Sequence, residues 1–305
     1  MTSPTSSPAN ATGSAPASKA QAAHRESIGD LVGNGSIEFS YGDPGEIQEA
    51  AGILPYGFRV YVPSPPGRSL KTNLAILRVL HEAGIDAIPH IAARGIESRP
   101  ALLNFLRSAV NDYGVHCVML VGGDQSAPHG PYSCSHELLS GKFLPDSGIR
   151  EIAIAGYPEG HWNIPAATLQ SNLEIKVTEA TAQGLGVEIV TQFSFSLARV
   201  TEYCVYLDHA FPEVPVYVGM AGPASNQRLR TFARHCGVSP SLLGSGFRGV
   251  KVSNRVVHTD PSNQLEAVAH HCLSRHGCNV IGVHIYSFGG FVQSARWMQS
   301  ILRHA

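Results

Sequence analysis

The chain has 305 residues, of which 43% are hydrophobic and 15% charged, and its 22 Lys and Arg residues nearly balance its 23 Asp and Glu residues. A net charge of −1 argues against nucleic-acid and membrane-surface proteins, whose affinity depends on a basic field. No apolar run approaches the roughly 20 residues of a membrane span. We therefore expect a cytoplasmic globular protein with neither kind of partner; its oligomeric state is not predicted.

The N-terminal segment 1–23 is rich in Ser, Thr, Ala, Pro and Gly and has no large apolar residue after Met1. Such a segment buries too little apolar surface to offset its ordering entropy. It has neither the apolar stretch of a secretory signal nor the Arg-rich pattern of a transit peptide. We predict a disordered tail over residues 1–27 and a single domain over residues 28–305.

From residue 28 onward, short apolar runs alternate with helix-like segments. The runs are rich in Val and Ile and mostly apolar throughout, which is typical of strands buried on both faces of a parallel sheet. The predicted strands are residues 36–40, 59–62, 87–90, 117–121, 152–156, 188–193, 214–219 and 280–287.

Helical segments lie between these runs, with apolar residues recurring at intervals of three and four. Several of them end in glycine, which suits a left-handed C-cap. The predicted helices include residues 69–83, 99–113, 168–183, 227–236, 263–276 and 291–302.

Eight strands that alternate with helices favour an α/β fold of the (β/α)8 TIM-barrel type. An open doubly wound sheet is the alternative, but it usually carries G-x-G-x-x-G after its first strand, and this chain has no such motif. In a barrel the chemistry lies at the carboxyl ends of the strands. Polar residues at those ends are therefore candidate site residues.

Glu38 lies between Ile37 and Phe39 in the first strand. A carboxylate aimed into the barrel is costly unless it is paired or used, and desolvation would suit it to general-acid chemistry. An outward-facing glutamate bonded to a helix is equally compatible with the sequence. Asp124, after two glycines, is either a ligand-binding residue or a helix N-cap. Gln192 either bonds a heterocycle or makes an internal hydrogen bond.

The histidines allow similar alternatives. His90 and His284 could pair across the barrel mouth or simply satisfy polar groups of the core. A zinc site could be drawn among His270, His271, Cys272, His276 and Cys278, but their spacing matches no structural zinc pattern, so we predict no metal. The six cysteines show no C-x-x-C spacing, and we expect reduced thiols.

Six motifs, in order and over roughly residues 36–290, resemble those of the methylenetetrahydrofolate reductase family. Y-P-E-G-H at 157–161 is similar to that family's Y-P-E-x-H signature, and T-Q-F at 191–193 to its T-Q-F-F motif. The other four are I-E-F at 37–39, P-H at 89–90, G-G-D at 122–124 and N-L-x-x-K at 172–176.

The resemblance implies a TIM barrel that reduces methylenetetrahydrofolate with a nicotinamide, NADH or NADPH, usually through bound FAD. It implies that Glu38 is the general acid that opens the methylene bridge to an iminium. It further implies that Asp124 bonds the pterin and Gln192 the folate or nicotinamide. Residues at the positions where that family contacts its flavin are His90, Gly123, Tyr157, His161, Asn172 and Lys176.

Several positions depart from the family's pattern. Gly122 and Ile175 stand where the family has arginines, and the residues around Val62 and at Gly289–Gly290 also differ. Each lost arginine removes a charge-assisted bond of about 1.5–3 kcal/mol to a flavin phosphate. We therefore hypothesise a flavin-independent enzyme in which NADH passes hydride directly to the folate.

Three alternatives remain open from the sequence. The same enzyme could oxidise methyltetrahydrofolate in demethylation metabolism. A tetrahydrofolate-dependent methyltransferase could share the pterin site. A folate-binding protein could have lost catalysis, although the retained Glu38 argues against this last alternative.

Overall fold

The computed structural model describes residues 15–39, 44–224, 261–275 and 277–304, with side chains from residue 21 onward. Eight parallel strands pair in chain order, and the first also pairs with the eighth, which closes a barrel. This confirms the predicted (β/α)8 fold and excludes the open sheet. The strands are β1 (Ser36–Glu38), β2 (Arg59–Val62), β3 (Asp86–Ala92), β4 (Cys117–Val121), β5 (Glu151–Gly156), β6 (Gly186–Thr191), β7 (Val216–Ala221) and β8 (Val280–Tyr286).

Helices connect the strands, and among the described helices none is long and apolar enough to cross a membrane. The predicted helix at 227–236 lies outside the described residues. The α-helices are α1 (Ala15–Gly33), α2 (Pro44–Ala51), α3 (Leu70–Glu82), α4 (Arg99–Tyr113), α5 (Phe143–Asp146), α6 (Ala166–Ala182), α7 (Leu197–Ala210), α8 (Ser262–Leu273) and α9 (Phe291–Leu302).

Local sequence signals set the ends of α4. The Ser98 hydroxyl accepts a hydrogen bond from the Ala101 amide at 3.3 Å and caps the first turn. Gly114 ends the helix at φ 69°, in the left-handed region that glycine adopts without a steric cost. The glycine C-cap predicted at this position is confirmed.

One apolar cluster packs between the strands and the surrounding helices, and a second lies inside the barrel. Alternate strand residues such as Ile37 and Val60 join helix residues such as Leu77 and Leu80 in the outer core, and all four are fully buried. Burial of each such side chain contributes about 1.5–3 kcal/mol. The cluster inside the barrel consists of Tyr61, Ile88, Cys117, Met119, Ala153, Val190 and Tyr217.

The predicted disordered tail over 1–27 is wrong for residues 15–27, which belong to α1. This helix packs against α8, α9 and β8 and so closes the wall where the chain returns to β1. Its Ala-rich start has a high helix propensity, and Leu31 and Val32 near its end are buried. Residues 1–14 lie outside the described part of the chain, so disorder there stays a prediction.

Candidate functional site

The carboxyl ends of the strands form a mouth at which the predicted polar residues meet. Glu38 ends β1, and its strand neighbours in register are Tyr61 and Tyr286. Ile37 and Phe39 both pack in the outer core, and successive strand residues face opposite sides. The half-buried Glu38 therefore faces into the barrel. The alternative of an outward-facing glutamate bonded to a helix is wrong.

Three aromatic rings make edge-to-face contacts inside the barrel, close to Glu38. The Tyr61 ring lies edge-on between His90, at 5.9 Å, and His284, at 4.7 Å. The Ser36 hydroxyl lies 2.8 Å from Nδ1 of His284 and forms a hydrogen bond with it. The two histidines therefore flank Tyr61 rather than pairing directly.

Both histidines are neutral. Burial lowers the pKa of His90 to about 3. Burial also lowers the pKa of His284 to about 3, helped by the nearby His90 and Arg59. Within the described residues, Nε2 of His90 is buried without a hydrogen-bond partner. It is a polar atom at the mouth that a ligand could satisfy.

An ion pair that was not predicted from the sequence forms the floor of this site. Arg59 donates two hydrogen bonds to the Glu188 carboxylate, at 2.7 and 2.8 Å, and a third to the Tyr217 hydroxyl at 2.7 Å. The Tyr61 hydroxyl also donates to Glu188. Burial, the largest single influence, lowers the pKa of the guanidinium, but the hydrogen bond to Glu188 and the charges of Tyr61, Glu188 and Tyr217 together raise it above its usual value. The sequence signal was a charged residue at the start of β2 and another in the otherwise apolar β6.

The loop after β4 carries Gly123 and Asp124. Gly123 has φ 88°, and a Cβ there would lie 2.7 Å from Oε1 of Gln125. Asp124 is exposed, and the next turn of helix starts only at Ser135, so Asp124 is not a helix N-cap. The structure thus removes the cap alternative and leaves Asp124 on the rim.

Arg94 holds this loop in place. Its backbone N–H donates to the Gly122 carbonyl at 3.0 Å, and its guanidinium donates to the carbonyls of Gln125 and Ser133 at 3.2 and 2.9 Å. No role was predicted for Arg94 from the sequence. Its position just after β3 was the available signal.

The loop after β5 brings Tyr157 and His161 to the rim, with their rings 5.5 Å apart and nearly perpendicular. Burial lowers the pKa of His161, while the negative charge of Asp124 acts in the opposite direction. The loops after β4 and β5 are therefore electrostatically coupled. Trp162, 71% exposed, also stacks on His161.

Gln192 follows β6 on the inward face, in phase with Glu188 and Val190. Its backbone N–H donates to the Gly156 carbonyl at 2.7 Å, and its Oε1 accepts from the Phe193 amide at 3.1 Å. The internal hydrogen bond is therefore present, and the half-buried side chain lies at the mouth. Binding of a heterocycle by Gln192 stays a prediction.

An aromatic wall stands beside Gln192. Phe193 makes edge contacts with Tyr286 at 5.3 Å and with Phe288 at 5.0 Å. The Tyr286 hydroxyl donates to the Thr191 carbonyl at 3.1 Å, which fixes its ring. Phe288 has φ 49°, a left-handed conformation unusual for a bulky residue. Phe193 and Phe288 are 1% and 2% exposed, so they support the half-buried Tyr286, whose ring can contact an aromatic ligand.

The two predicted flavin contacts on α6 are placed outside the barrel wall. Lys176 is buried on the inner face of this helix, and burial lowers its pKa to about 8 although the charge of Cys134 acts to raise it. Asn172, one turn earlier, is half-buried. The structure brings together His90, Gly123, Tyr157 and His161 at the strand ends but does not show Lys176 opening onto them.

A cavity of about 630 Å³ lies at the end of β5, between α6 and α7. Tyr157, Tyr203 and Tyr206 line it, with Arg199 and Glu159 at its polar side. Its volume is in the range of small-molecule and cofactor sites. This cavity was not predicted from the sequence, because its aromatic lining comes from the inner face of α7.

No protein-family model matches the chain. Among solved structures it is similar to an uncharacterized protein from Clostridium thermocellum that binds two copies of 5-methyl-5,6,7,8-tetrahydrofolic acid, with a TM-score of 0.57 and 13% identity over 89% of this chain and 95% of that one. At this identity the likeness shows the barrel fold.

Two further similar structures have lower TM-scores. Dihydropteroate synthase from Thermus thermophilus in complex with 6HMPPP gives 0.48 at 14% identity, over 88% of this chain and 91% of that one. The 3-dehydroquinate dehydratase from Aquifex aeolicus gives 0.48 at 11% identity, over 88% and 97%.

The positions that correspond to flavin contacts or arginines in the resembled family do not fit the diphosphate of a flavin in the described part of the chain. Gly122 has no side chain, Ile175 is partly exposed on α6, and Lys176 is buried beside Cys134. The Arg94 guanidinium is already bonded to backbone carbonyls. A diphosphate needs charge-assisted donors, and these positions supply none.

Proposed function

We propose that the chain is an oxidoreductase of the methylenetetrahydrofolate reductase type that passes hydride directly from NADH or NADPH to methylenetetrahydrofolate. The observation that carries this proposal is the inward-facing Glu38 at the mouth, with Gln192 and the aromatic wall at the same end of the barrel. Six family-like motifs in register support it, since the strand ends bring most of them to this mouth.

Glu38 is the general acid of this mechanism. In its protonated form it donates a proton to the departing nitrogen of the methylene bridge, which opens the ring and leaves an iminium carbon. Hydride from the reduced nicotinamide then adds to that carbon and gives the methyl group. The products are methyltetrahydrofolate and the oxidised nicotinamide, and Glu38 recovers its proton from solvent.

The remaining mouth residues orient the substrates. Asp124 accepts hydrogen bonds from the pterin ring, and Gln192 bonds the folate or the nicotinamide amide through its NH2 group. The half-buried Tyr286 provides apolar surface for the rings, and the buried Phe288 packs behind it. The neutral His90 supplies Nε2 as a further polar contact without adding a charge near the developing iminium.

The cavity at the end of β5 is our proposed place for the rest of the nicotinamide dinucleotide. Its tyrosines offer rings for adenine stacking, and Arg199 offers a cation for a phosphate. A co-substrate that must dissociate after each turnover needs fewer charged contacts than a resident flavin. This agrees with the lack of a free cation at Gly122, Ile175 and Lys176.

A second candidate function is binding or methyl transfer of methyltetrahydrofolate without hydride chemistry. The neighbour from Clostridium thermocellum, whose barrel binds a methylated reduced folate, favours this candidate. Oxidation of methyltetrahydrofolate by the same site is the reverse of the proposed reaction, and the ratio of NAD to NADH sets its direction.

The test is NADH oxidation by protein stripped of flavin, with and without methylenetetrahydrofolate. Folate-dependent oxidation without flavin is the expected result. Activity that returns only with added FAD would overturn the direct transfer and keep the reductase. Binding of methyltetrahydrofolate without turnover under either condition would favour the second candidate.

A further inference from the structure

A second cluster of reactive side chains lies at the opposite, amino-terminal end of the barrel. Asp208 is in the last turn of α7, His271 and Cys272 are in the last turn of α8, and Cys278 precedes β8. β8 is seven residues long, so the cluster lies roughly 20 Å from the mouth. The proposed reductase chemistry does not use any of these groups.

The two thiols are in direct contact. Their sulfur atoms are 3.3 Å apart, within hydrogen-bonding distance, and both residues are half-buried, so solvent reaches them. The hydrogen bond shared with Cys272, and after it one with His271, lowers the pKa of the Cys278 thiol, although burial acts to raise it. The same bond, together with burial, raises the pKa of Cys272. Cys278 is therefore the more acidic thiol of the pair.

His271 and Asp208 complete the surroundings of the thiolate. His271 is 8% exposed, its buried Nε2 has no hydrogen-bond partner among the described residues, and it lies 3.9 Å from Oδ2 of Asp208. Asp208 in turn accepts from Nε of Arg275 and from the backbone N–H of Asn279, both at 3.1 Å. These bonds fix the carboxylate beside the imidazole.

The donor atoms of Asp208, His271 and Cys278 lie within 4.8 Å of one another, which a metal ion could in principle use. However, both Asp208 oxygens already accept hydrogen bonds, one of them from the cationic Arg275. A metal would have to displace that guanidinium. The contact between the two sulfurs needs no such rearrangement.

We propose that Cys278 and Cys272 form a reversible dithiol–disulfide site that reacts with hydroperoxides. The Cys278 thiolate attacks the distal peroxide oxygen and becomes a sulfenic acid, while the O–O bond breaks and the leaving oxygen departs as hydroxide or alkoxide. The Cys272 thiol then attacks the Cys278 sulfur, a disulfide forms, and water leaves. An external dithiol restores both thiols by exchange.

The test uses the full chain and hydrogen peroxide, with peptide mapping under non-reducing conditions. Trypsin cleaves after Arg275, between the two cysteines, so the disulfide would join two peptides that are otherwise separate. The expected result is this joined pair, lighter by two hydrogens and separated again by dithiothreitol. Cys134, half-exposed beside His136 with no second cysteine in contact among the described residues, is the internal control and should react later.

Two variants separate a reactive site from a coincidental contact. In Cys272→Ser, dimedone should trap a sulfenic acid on Cys278, because the resolving thiol is gone. In His271→Asn, reaction with peroxide should slow by about tenfold, since the thiolate loses a stabilising donor. The proposal would be overturned if peroxide oxidised Cys278 no faster than Cys134. It would also be overturned if the purified chain held zinc and its thiols did not react.

Discussion

At the amino-terminal end of the barrel interior, Arg59 and Glu188 satisfy each other through paired hydrogen bonds, whereas at the carboxyl end Nε2 of His90 and Oε1 of Gln125 are buried without a hydrogen-bond partner among the described residues. Polar groups buried at both ends cost free energy unless they are bonded. Arg59 and Glu188, at the amino-terminal end, satisfy each other by hydrogen bonds, so their role is structural. The carboxyl-end atoms lack such partners among the described residues, so a ligand at the proposed site would have polar atoms to bond.

Among substitutions at the two ends of the barrel, we expect the largest effect on activity at Glu38. Glu38→Gln removes the proposed proton donor and should lower kcat by about 10²–10⁴-fold, with a Tm close to that of the unmodified chain. Steady-state NADH oxidation and thermal unfolding check this. Glu179→Gln, an exposed glutamate on α6, is the matched control and should leave both unchanged. A Glu38→Gln protein with undiminished turnover would falsify the acid assignment.

At the other end, Glu188→Gln should act on stability. It leaves the Arg59 cation, 19% exposed, without its counter-charge. The cost should be somewhat below the roughly 3–5 kcal/mol of unfolding free energy lost in fully buried pairs. Urea unfolding measures the change. The double variant Arg59→Met with Glu188→Leu should recover most of the loss, because no unpaired charge remains. Equal destabilisation by both variants would contradict a role that depends on charge pairing.

The low pKa values of His90 and His284 predict how the unfolding free energy of the protein changes with pH. Their pKa values are about 3 in the folded chain, against 6.5 when unperturbed. Between pH 6.5 and 3 the unfolded chain binds protons that the folded chain does not, so stability falls as the pH falls. The slope is at most about 1.4 kcal/mol per pH unit for each histidine.

Urea unfolding of His284→Asn at several pH values across this window tests the slope. The variant should show a shallower loss of stability with acid than the unmodified chain. His129→Asn, at an exposed position, should keep the original slope. An unchanged slope in His284→Asn would show that this imidazole does not stay neutral in the fold.

The smallest predicted effect concerns the loop after β4. Gly123→Ala places a side chain at φ 88° and close to Gln125, which should cost about 1–2 kcal/mol and weaken folate binding. Gly122→Ala is the matched control, because a Cβ there meets nothing within 4 Å. Calorimetric unfolding and folate titration of the two variants give the comparison. Equal effects would mean that the backbone conformation of Gly123 does not matter.

The strand ends show how far sequence reasoning reached the site. Glu38 and Gln192 were predicted from their places at strand ends, and Gly123, Tyr157 and His161 from the family resemblance. The closed barrel brings these strand ends to one mouth. Lys176 was different, because a position on a helix does not reveal which side chain is buried. The helical residues 15–27 were missed because their composition was taken as typical of disorder, whereas the structure makes them the first part of α1, whose buried residues Leu31 and Val32 lie near its end.

The sequence by itself determined the alternation of eight apolar strands with helices, and therefore the barrel. That information is local, since hydrophobic periodicity and glycine caps act within a few residues. Only the tertiary structure decided that Arg59 meets Glu188, 129 residues away, and that Asp208 lies beside His271 and Cys278. Such pairs leave no periodic trace, because closure of the barrel, rather than spacing along the chain, brings them into contact.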